Sequence, residues 1–184
     1  MSNSEGLTSD LVSVIGEENV SGRIFDRVIY SYGGLGLDPP RDKLPVAVIR
    51  PSSVQEASKV LEYANNHKIP VYIHGKGTAF KGAPVPKHKG SIILSTEKLD
   101  SSTMHEEDMY FEVGAGVNQL DLEEELLKHG YMLQMNVGSK YSGTVGGAVA
   151  ENTIGHMVDF CLGKLIDHVL GVEVVLPNGA IIET

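Results

Sequence analysis

Apolar residues fall at helical spacing at Leu7, Leu11, Val14 and Ile15, and Gly16 with Glu17, Glu18 and Asn19 then breaks the pattern, which predicts a short leading helix. Between Tyr32 and Pro45 the chain holds three Pro and three Gly, a composition that predicts a connector lying over the surface. Residues 1–45 are therefore expected to be a leading helix and connector, with the compact domain starting near Val46. From there strand and helix signals alternate. Residues 46–49 form a short apolar strand signal, and Ser53 followed by Glu56 is a capping box. Val54, Ala57, Val60, Leu61 and Ala64 share one helical face, and a strand signal returns over residues 71–73. Further strands are expected over 92–94, 111–113, 131–133 and 169–176. A helix is expected over 118–129 with Leu120, Leu126 and Leu127 inward and Gly130 as its C-terminal cap. Pro177-Asn178-Gly179 predicts a turn into a strand over 180–182. These units give an α/β or α+β class, without an internal repeat of fixed period.

Composition narrows the function. With 41% hydrophobic and 21% charged residues, the 184-residue chain has the make-up of a soluble globular protein with a real core. Lys and Arg number 15 against 24 Asp and Glu, a net charge of -9, which argues against nucleic acid or an anionic membrane as partner. The single Cys161 excludes an internal disulfide and a multi-thiolate metal site, and it fits a reducing cytoplasm. The polar, acidic start carries no targeting pattern, and no apolar run is long enough to cross a bilayer, so an intracellular protein without membrane insertion is expected.

Two glycine-rich stretches carry the candidate chemistry. His74-Gly75-Lys76-Gly77-Thr78-Ala79, followed by Gly82, comes directly after the strand signal at 71–73. Glycines at alternate positions let backbone amides approach an anion closely, as a pyrophosphate requires, and Thr78 adds a hydroxyl; taken alone, such a pattern after a strand is more often a plain turn. It is neither a Walker loop nor the dinucleotide fingerprint, because Gly82, Pro84 and Pro86 forbid a following helix. The second stretch is Gly138-Ser139, then Thr144-Val145-Gly146-Gly147 and Ala150 with Asn152. Such small residues suit close contact with a flat ring system, or simply close packing in a short helix.

Taken together and in this order, the motifs resemble the FAD-binding domain of the vanillyl-alcohol oxidase or p-cresol methylhydroxylase type, in its glycolate oxidase and D-lactate dehydrogenase branch. Arg50-Pro51-Ser52-Ser53 with Glu56, Ile69-Pro70-Val71, Gly75-x-Gly77-Thr78 with Gly82 and Pro86, and Val113-x-Ala115-Gly116-Val117 match that family, as do the second stretch and Asp167 to Gly179. Asp26-Arg27 and Tyr30-Ser31 in the leader are also similar to it. The resemblance implies an α+β, two-lobed fold of mixed sheets flanked by helices, one lobe over about 46–99 and the other over about 111–184, with FAD between them. It implies that the backbone amides of Gly75, Lys76, Gly77, Thr78 and Ala79 bind the pyrophosphate, with His74 and Gly82 also among the cofactor-binding residues. Asn136, Gly138, Ser139, Thr144, Gly146, Gly147, Ala150 and Asn152 are implied to lie toward ribityl and isoalloxazine. Thr78 stands where flavin-tethering relatives carry His, which implies noncovalent FAD. His74 replaces the family's usual Arg, Asn136-Val137 replaces Asp-Pro, and Lys76 supplies positive charge beside the phosphates. Family members continue past the point matching Thr184 into further strands and a substrate-capping domain with the acid/base residues. No catalytic residue is therefore expected here, and a second subunit or a further C-terminal segment is expected to complete the protein.

The remaining titratable residues have plainer readings. The seven His, at 67, 74, 88, 105, 129, 156 and 168, show no metal-site spacing and read as solvated or loop residues. Glu123-Glu124-Glu125 reads as an exposed helical face, Asp38, Arg41, Asp42 and Lys43 as loop solvation, and Cys161 as a buried small apolar residue. Three functions follow as expectations: the FAD-binding portion of a dehydrogenase or oxidase acting on a 2-hydroxy acid such as D-lactate or glycolate; a flavin-carrying electron-transfer subunit; or a cofactor-free scaffold that binds a protein partner.

Overall fold

The computed structural model describes residues 3–34, 41–133, 137–155 and 159–184. These fall into two compact units, one of residues 1–98 with 172–184 and the other of residues 99–171.

The first unit is built on a four-stranded sheet in the order β1 (Val20–Ser21), β2 (Ala47–Ile49), β4 (Ile92–Ser95), β3 (Val71–His74). β4 runs parallel to both β2 and β3, and β1 is antiparallel to β2. Parallel neighbours need a crossover, and α3 (Val54–Asn66) supplies it between β2 and β3. Ala47, Val48, Ile49, Ile92 and Ile93 are fully buried, which is why these strands read as unbroken apolar runs. α3 starts where its local signals say: the Ser53 hydroxyl accepts from the Glu56 amide. The Glu56 carboxylate reaches back one residue further than a strict capping box, to the Ser52 amide at 2.7 Å and the Ser52 hydroxyl at 2.9 Å.

The leader, N-terminal to the domain start expected near Val46, packs on this core. Leu11 and Ile15 of α1 (Asn3–Ile15) pack with Ala47, Ile49, Val60, Ala64, Ile92 and Leu94. Each such side chain removed from water contributes about 1.5–3 kcal/mol. After α1 the chain makes a 3-10 turn over Glu17–Asn19 and enters β1. Buried Asn19 ties the leader down: it donates to the Ile15 carbonyl at 2.9 Å, accepts from Lys98 at 2.7 Å, and its own carbonyl accepts from the Arg50 amide at 2.8 Å. A helix α2 (Ile24–Ile29), without buried residues and so without a core-facing stripe in the sequence, follows. Pro45, at the end of the expected surface connector, is also fully buried.

β7 (Glu173–Val175) and β8 (Ile181–Glu183) form an antiparallel hairpin across the Pro177-Asn178-Gly179 turn, with Gly179 at φ +83°. The hairpin groups with the first unit rather than with the second lobe of the sequence reading. The Ser58 hydroxyl on α3 donates to the Gly179 carbonyl at 2.5 Å, and a Cβ on Gly179 would come within 2.8 Å of Glu62.

The second unit holds the antiparallel pair β5 (Ser102–His105) and β6 (Tyr110–Val113), then α4 (Gln119–Lys128), α5 (Val145–Glu151) and α6 (Asp159–Leu162). The Asn118 side chain caps α4, and Gly130, at φ +79°, follows its end. The buried residues of α4 are Gln119 and Leu122, with Leu127 59% exposed, so the inward face is rotated from the expected one. Residues 131–133 are irregular rather than a strand, and no strand among the described residues pairs with them.

Candidate functional site

The first glycine-rich stretch emerges from the end of β3 as an open loop. The Thr96 amide donates to the His74 carbonyl at 3.0 Å, and beyond His74 the chain leaves the sheet. The amides of Gly75, Lys76, Gly77, Thr78 and Ala79 have no acceptor among the described residues. Runs of unpaired amides are costly unless water or a ligand meets them, so five in succession are a donor set for an anion. Gly77, at φ +69°, makes the turn that keeps the loop open, in a conformation that a side chain would strain. Thr78 and Ala79 are half-buried and Lys76 is exposed. The loop closes at buried Gly82, also at φ +69°, whose amide donates to the Ala79 carbonyl at 3.2 Å.

His74 is not a solvated histidine. It is 7% exposed, its ring lies 5.1 Å from that of Tyr30, and its Nδ1 is 3.1 Å from the Gly75 carbonyl oxygen. Burial pushes its pKa below the ordinary imidazole value, so a neutral ring is the one that stands beside the loop. Behind it, the Tyr30 hydroxyl donates to Glu97 at 2.5 Å, and Arg50 pairs with Glu97 at 2.8 Å and with Asp26 at 3.5 Å. Burial, followed by the Glu97 contact, raises the Tyr30 pKa; the bond from Ser21, with Arg50 behind it, lowers that of Asp26. In the sequence Asp26 and Tyr30 carry only a family resemblance and no role.

The second stretch is built differently. Thr144 is buried and caps α5, its hydroxyl accepting from the Gly147 amide at 3.2 Å. The Val145 amide donates to the Val117 carbonyl at 2.9 Å and the Gly146 amide to the Ala115 carbonyl at 3.1 Å. Every amide of the first turn therefore has a partner, and the start of α5 offers no spare donor to an anion. Gly146 is present for packing: a Cβ there would sit 2.6 Å from the Ala115 Cβ and 2.7 Å from its Cα. What remains open is a surface of small groups, with Gly138, Gly147, Ala150 and Asn152 exposed. Asn152 ends the helix in the left-handed region at φ 45°. Ser139 is half-buried, and its carbonyl accepts from the Ser142 and Gly143 amides. Asn136 lies outside the described residues.

Gln119 is the residue that sequence reasoning missed. It is buried, its amide donates to the Gly143 carbonyl at 3.0 Å, and its Nε2 donates to the Thr144 carbonyl at 3.1 Å. Its polar character at an inward helix position was the available signal. Among the described residues no group of three or more His, Cys, Asp or Glu could hold a metal ion, and no helix is long and apolar enough to cross a membrane. His156 and Asp38 lie outside the described residues. Cys161 is exposed rather than buried. Glu123 is drawn into a half-buried ion pair with Lys140 at 2.8 Å, and Asp42 pairs with Lys89 at 3.0 Å.

The two stretches thus differ in chemistry: backbone amides without an acceptor among the described residues in the first, small exposed groups in the second. A family model described as an FAD binding domain matches residues 45–184. The D-lactate dehydrogenase of Archaeoglobus fulgidus is 35% identical over 143 residues, which is 78% of this chain and 32% of that protein. Glycolate oxidase subunit GlcD of Bacillus subtilis is 32% identical over 174 residues, 95% of this chain and 36% of that protein. The chain thus spans about a third of the length of these relatives. Among solved structures, alkyldihydroxyacetonephosphate synthase superposes with a TM-score of 0.85 at 18% identity, over 98% of this chain and 38% of that one. P-cresol methylhydroxylase superposes with a TM-score of 0.78 at 19% identity, over 100% of this chain and 36% of that one, a likeness of fold. The match over residues 45–184, which takes in both glycine-rich stretches, shows that this chain belongs to the FAD-binding domain family of flavin-linked oxidases.

Proposed function

We propose that this chain holds the FAD of an oxidoreductase that oxidises a 2-hydroxy acid such as D-lactate or glycolate. The observation that carries the reading is the run of five amides at Gly75, Lys76, Gly77, Thr78 and Ala79 without an acceptor among the described residues, inside the matched domain. They would hold the diphosphate, with the exposed Lys76 ammonium adding charge in a protein of net charge -9. Gly138, Ser139, Gly147, Ala150 and Asn152 would lie toward ribityl and ring. Gly146 and Thr144 shape that surface from beneath. Thr78 in place of a tethering His supports a noncovalent cofactor. Bound flavin supplies the two-electron acceptor for the substrate C–H bond. The chain's own residues bind and orient it; a base for the hydroxyl proton and the carboxylate-binding groups come from a second subunit or a further segment. The names of the two relatives support the 2-hydroxy acid. The acidic composition and lone Cys161 support a cytoplasmic setting.

The test is a visible absorbance spectrum after adding FAD and desalting, repeated with Gly77→Val. Retained flavin bands in the parent, lost in the variant, are expected. A folded parent that keeps no flavin overturns the reading for this chain alone. Flavin bleaching by D-lactate or glycolate, with a completing partner present, then tests the substrate class.

A further inference from the structure

The 75–79 loop has no amide hydrogen bonds of its own among the described residues, so its shape is set by whatever packs on it. Leader residues 30–34 do so, although they lie outside the matched residues 45–184. A Cβ on Gly34 would stand 2.7 Å from the Thr78 carbonyl oxygen and 3.2 Å from that of Ala79. A Cβ on Gly77 would meet the Tyr32 carbonyl oxygen at 3.0 Å and the His74 Nε2 at 3.0 Å. The segment is itself firmly held. Tyr30 is fixed by Glu97 and by the Arg50 guanidinium, 4.9 Å over its ring. Buried Ser31 donates to the Arg27 carbonyl, and Arg27 reaches the Pro45 carbonyl, both at 2.5 Å. The match to the Bacillus relative covers 95% of the chain, which takes in this segment.

We propose that residues 30–34 are a positioning wall for the 75–79 loop, setting where its amides point and hence how tightly it grips an anionic ligand. On the reading above, that ligand is the FAD diphosphate. Tyr30 acts through His74, and Gly34 and Tyr32 act by backbone contact at Thr78 and Gly77. A cradle for phosphate oxygens works only when its donors are held within about 0.5 Å, so a wall displaced by one methyl group is felt as lost affinity.

Gly34→Ala is the probe. Gly34 does not occupy the left-handed region, so alanine adds no backbone strain and only its methyl, against the Thr78 carbonyl, is new. Gly22→Ala, in the same leader, meets nothing nearer than 3.5 Å and is the control. FAD titration of the full chain, at a temperature where both variants remain folded, should show about tenfold weaker binding for Gly34→Ala than for Gly22→Ala. The amide resonances of residues 75–79, recorded without ligand, should move in Gly34→Ala alone. If they coincide with the control, the wall is wrong, whatever FAD does. If they move while the parent binds no FAD, the wall stands and the flavin reading falls. Should Gly34→Ala fail to fold, Tyr30→Leu, which withdraws the ring from His74, carries the same comparison.

Discussion

Gln119 donates from its Nε2 to the Thr144 carbonyl oxygen at 3.1 Å, while its own Oε1 is buried and has no donor among the described residues. The carboxamide cannot turn round, since its oxygen would then face another carbonyl oxygen. One bond that ties the loop before α5 to the start of α4 is thus kept alongside an unsatisfied atom. Gly143 lacks a side chain for the same reason, since a Cβ there would lie 2.6 Å from Gln119 Nε2.

Gln119→Met preserves the side-chain length, removes the orphan oxygen and removes the tie. Its stability in urea should stay within about 1 kcal/mol of the parent, since relief and loss offset. Amide exchange at Gly143 and Val145 should nevertheless quicken. Gln119→Glu, which sets a carboxylate against the Thr144 carbonyl, should cost about 2–3 kcal/mol at neutral pH. Equal stability of the two variants would refute the tie.

Gly146 and Gly138 should separate packing from exposure. Gly146→Ala forces its methyl onto Ala115 and should destabilise the protein by about 1–3 kcal/mol. Gly138→Ala, with nothing within 4 Å of the new methyl, should melt with the parent. A chemical denaturation series reads both.

Arg50 neutralises Glu97 and Asp26 and fixes Tyr30, all partly buried. Arg50→Met should cost about 2 kcal/mol, less than a fully buried pair because water screens these side chains in part. Arg50→Lys should recover only a fraction, because an ammonium has no planar fork to span two carboxylates and a phenol. Thermal melts at low salt check the order parent, Lys, Met.

His74 makes stability depend on pH. Burial lowers its folded pKa beneath the ordinary value of about 6.5, so between the two values the unfolded chain binds more protons. Stability from this group is complete above about pH 6.5 and is lost as pH falls from there through the folded pKa. His74→Gln should flatten the melting temperature between neutral and mildly acidic pH. An unchanged slope would assign the acid loss to other groups.

Local chemistry made several parts of the fold legible. Ser53 and Glu56 announce α3, Asn118 announces α4, and Pro177-Asn178-Gly179 announces the β7–β8 turn, because caps and tight turns are satisfied within a few residues. Features without such signals were missed: α2 buries nothing, and a strand signal over residues 131–133 found no partner among the described residues. The sequence pattern puts Leu120, Leu126 and Leu127 on the inner face of α4, whereas Leu122 is the buried leucine and Leu127 is exposed, because a ten-residue helix with four leucines leaves the inward side to its neighbours.

The order and spacing of the glycine-rich stretches determined, by sequence alone, the flavin-binding family and the place of the loop after β3. Tertiary structure decided the rest: that the amides of residues 75–79 have no acceptor among the described residues while those at the start of α5 do, that Gly146 serves packing against Ala115, and that the leader and the β7–β8 hairpin join the first unit. The reason is physical. A residue's preference for turn, helix or strand acts over a few neighbours, whereas the fate of a donor depends on which distant carbonyl the fold brings beside it.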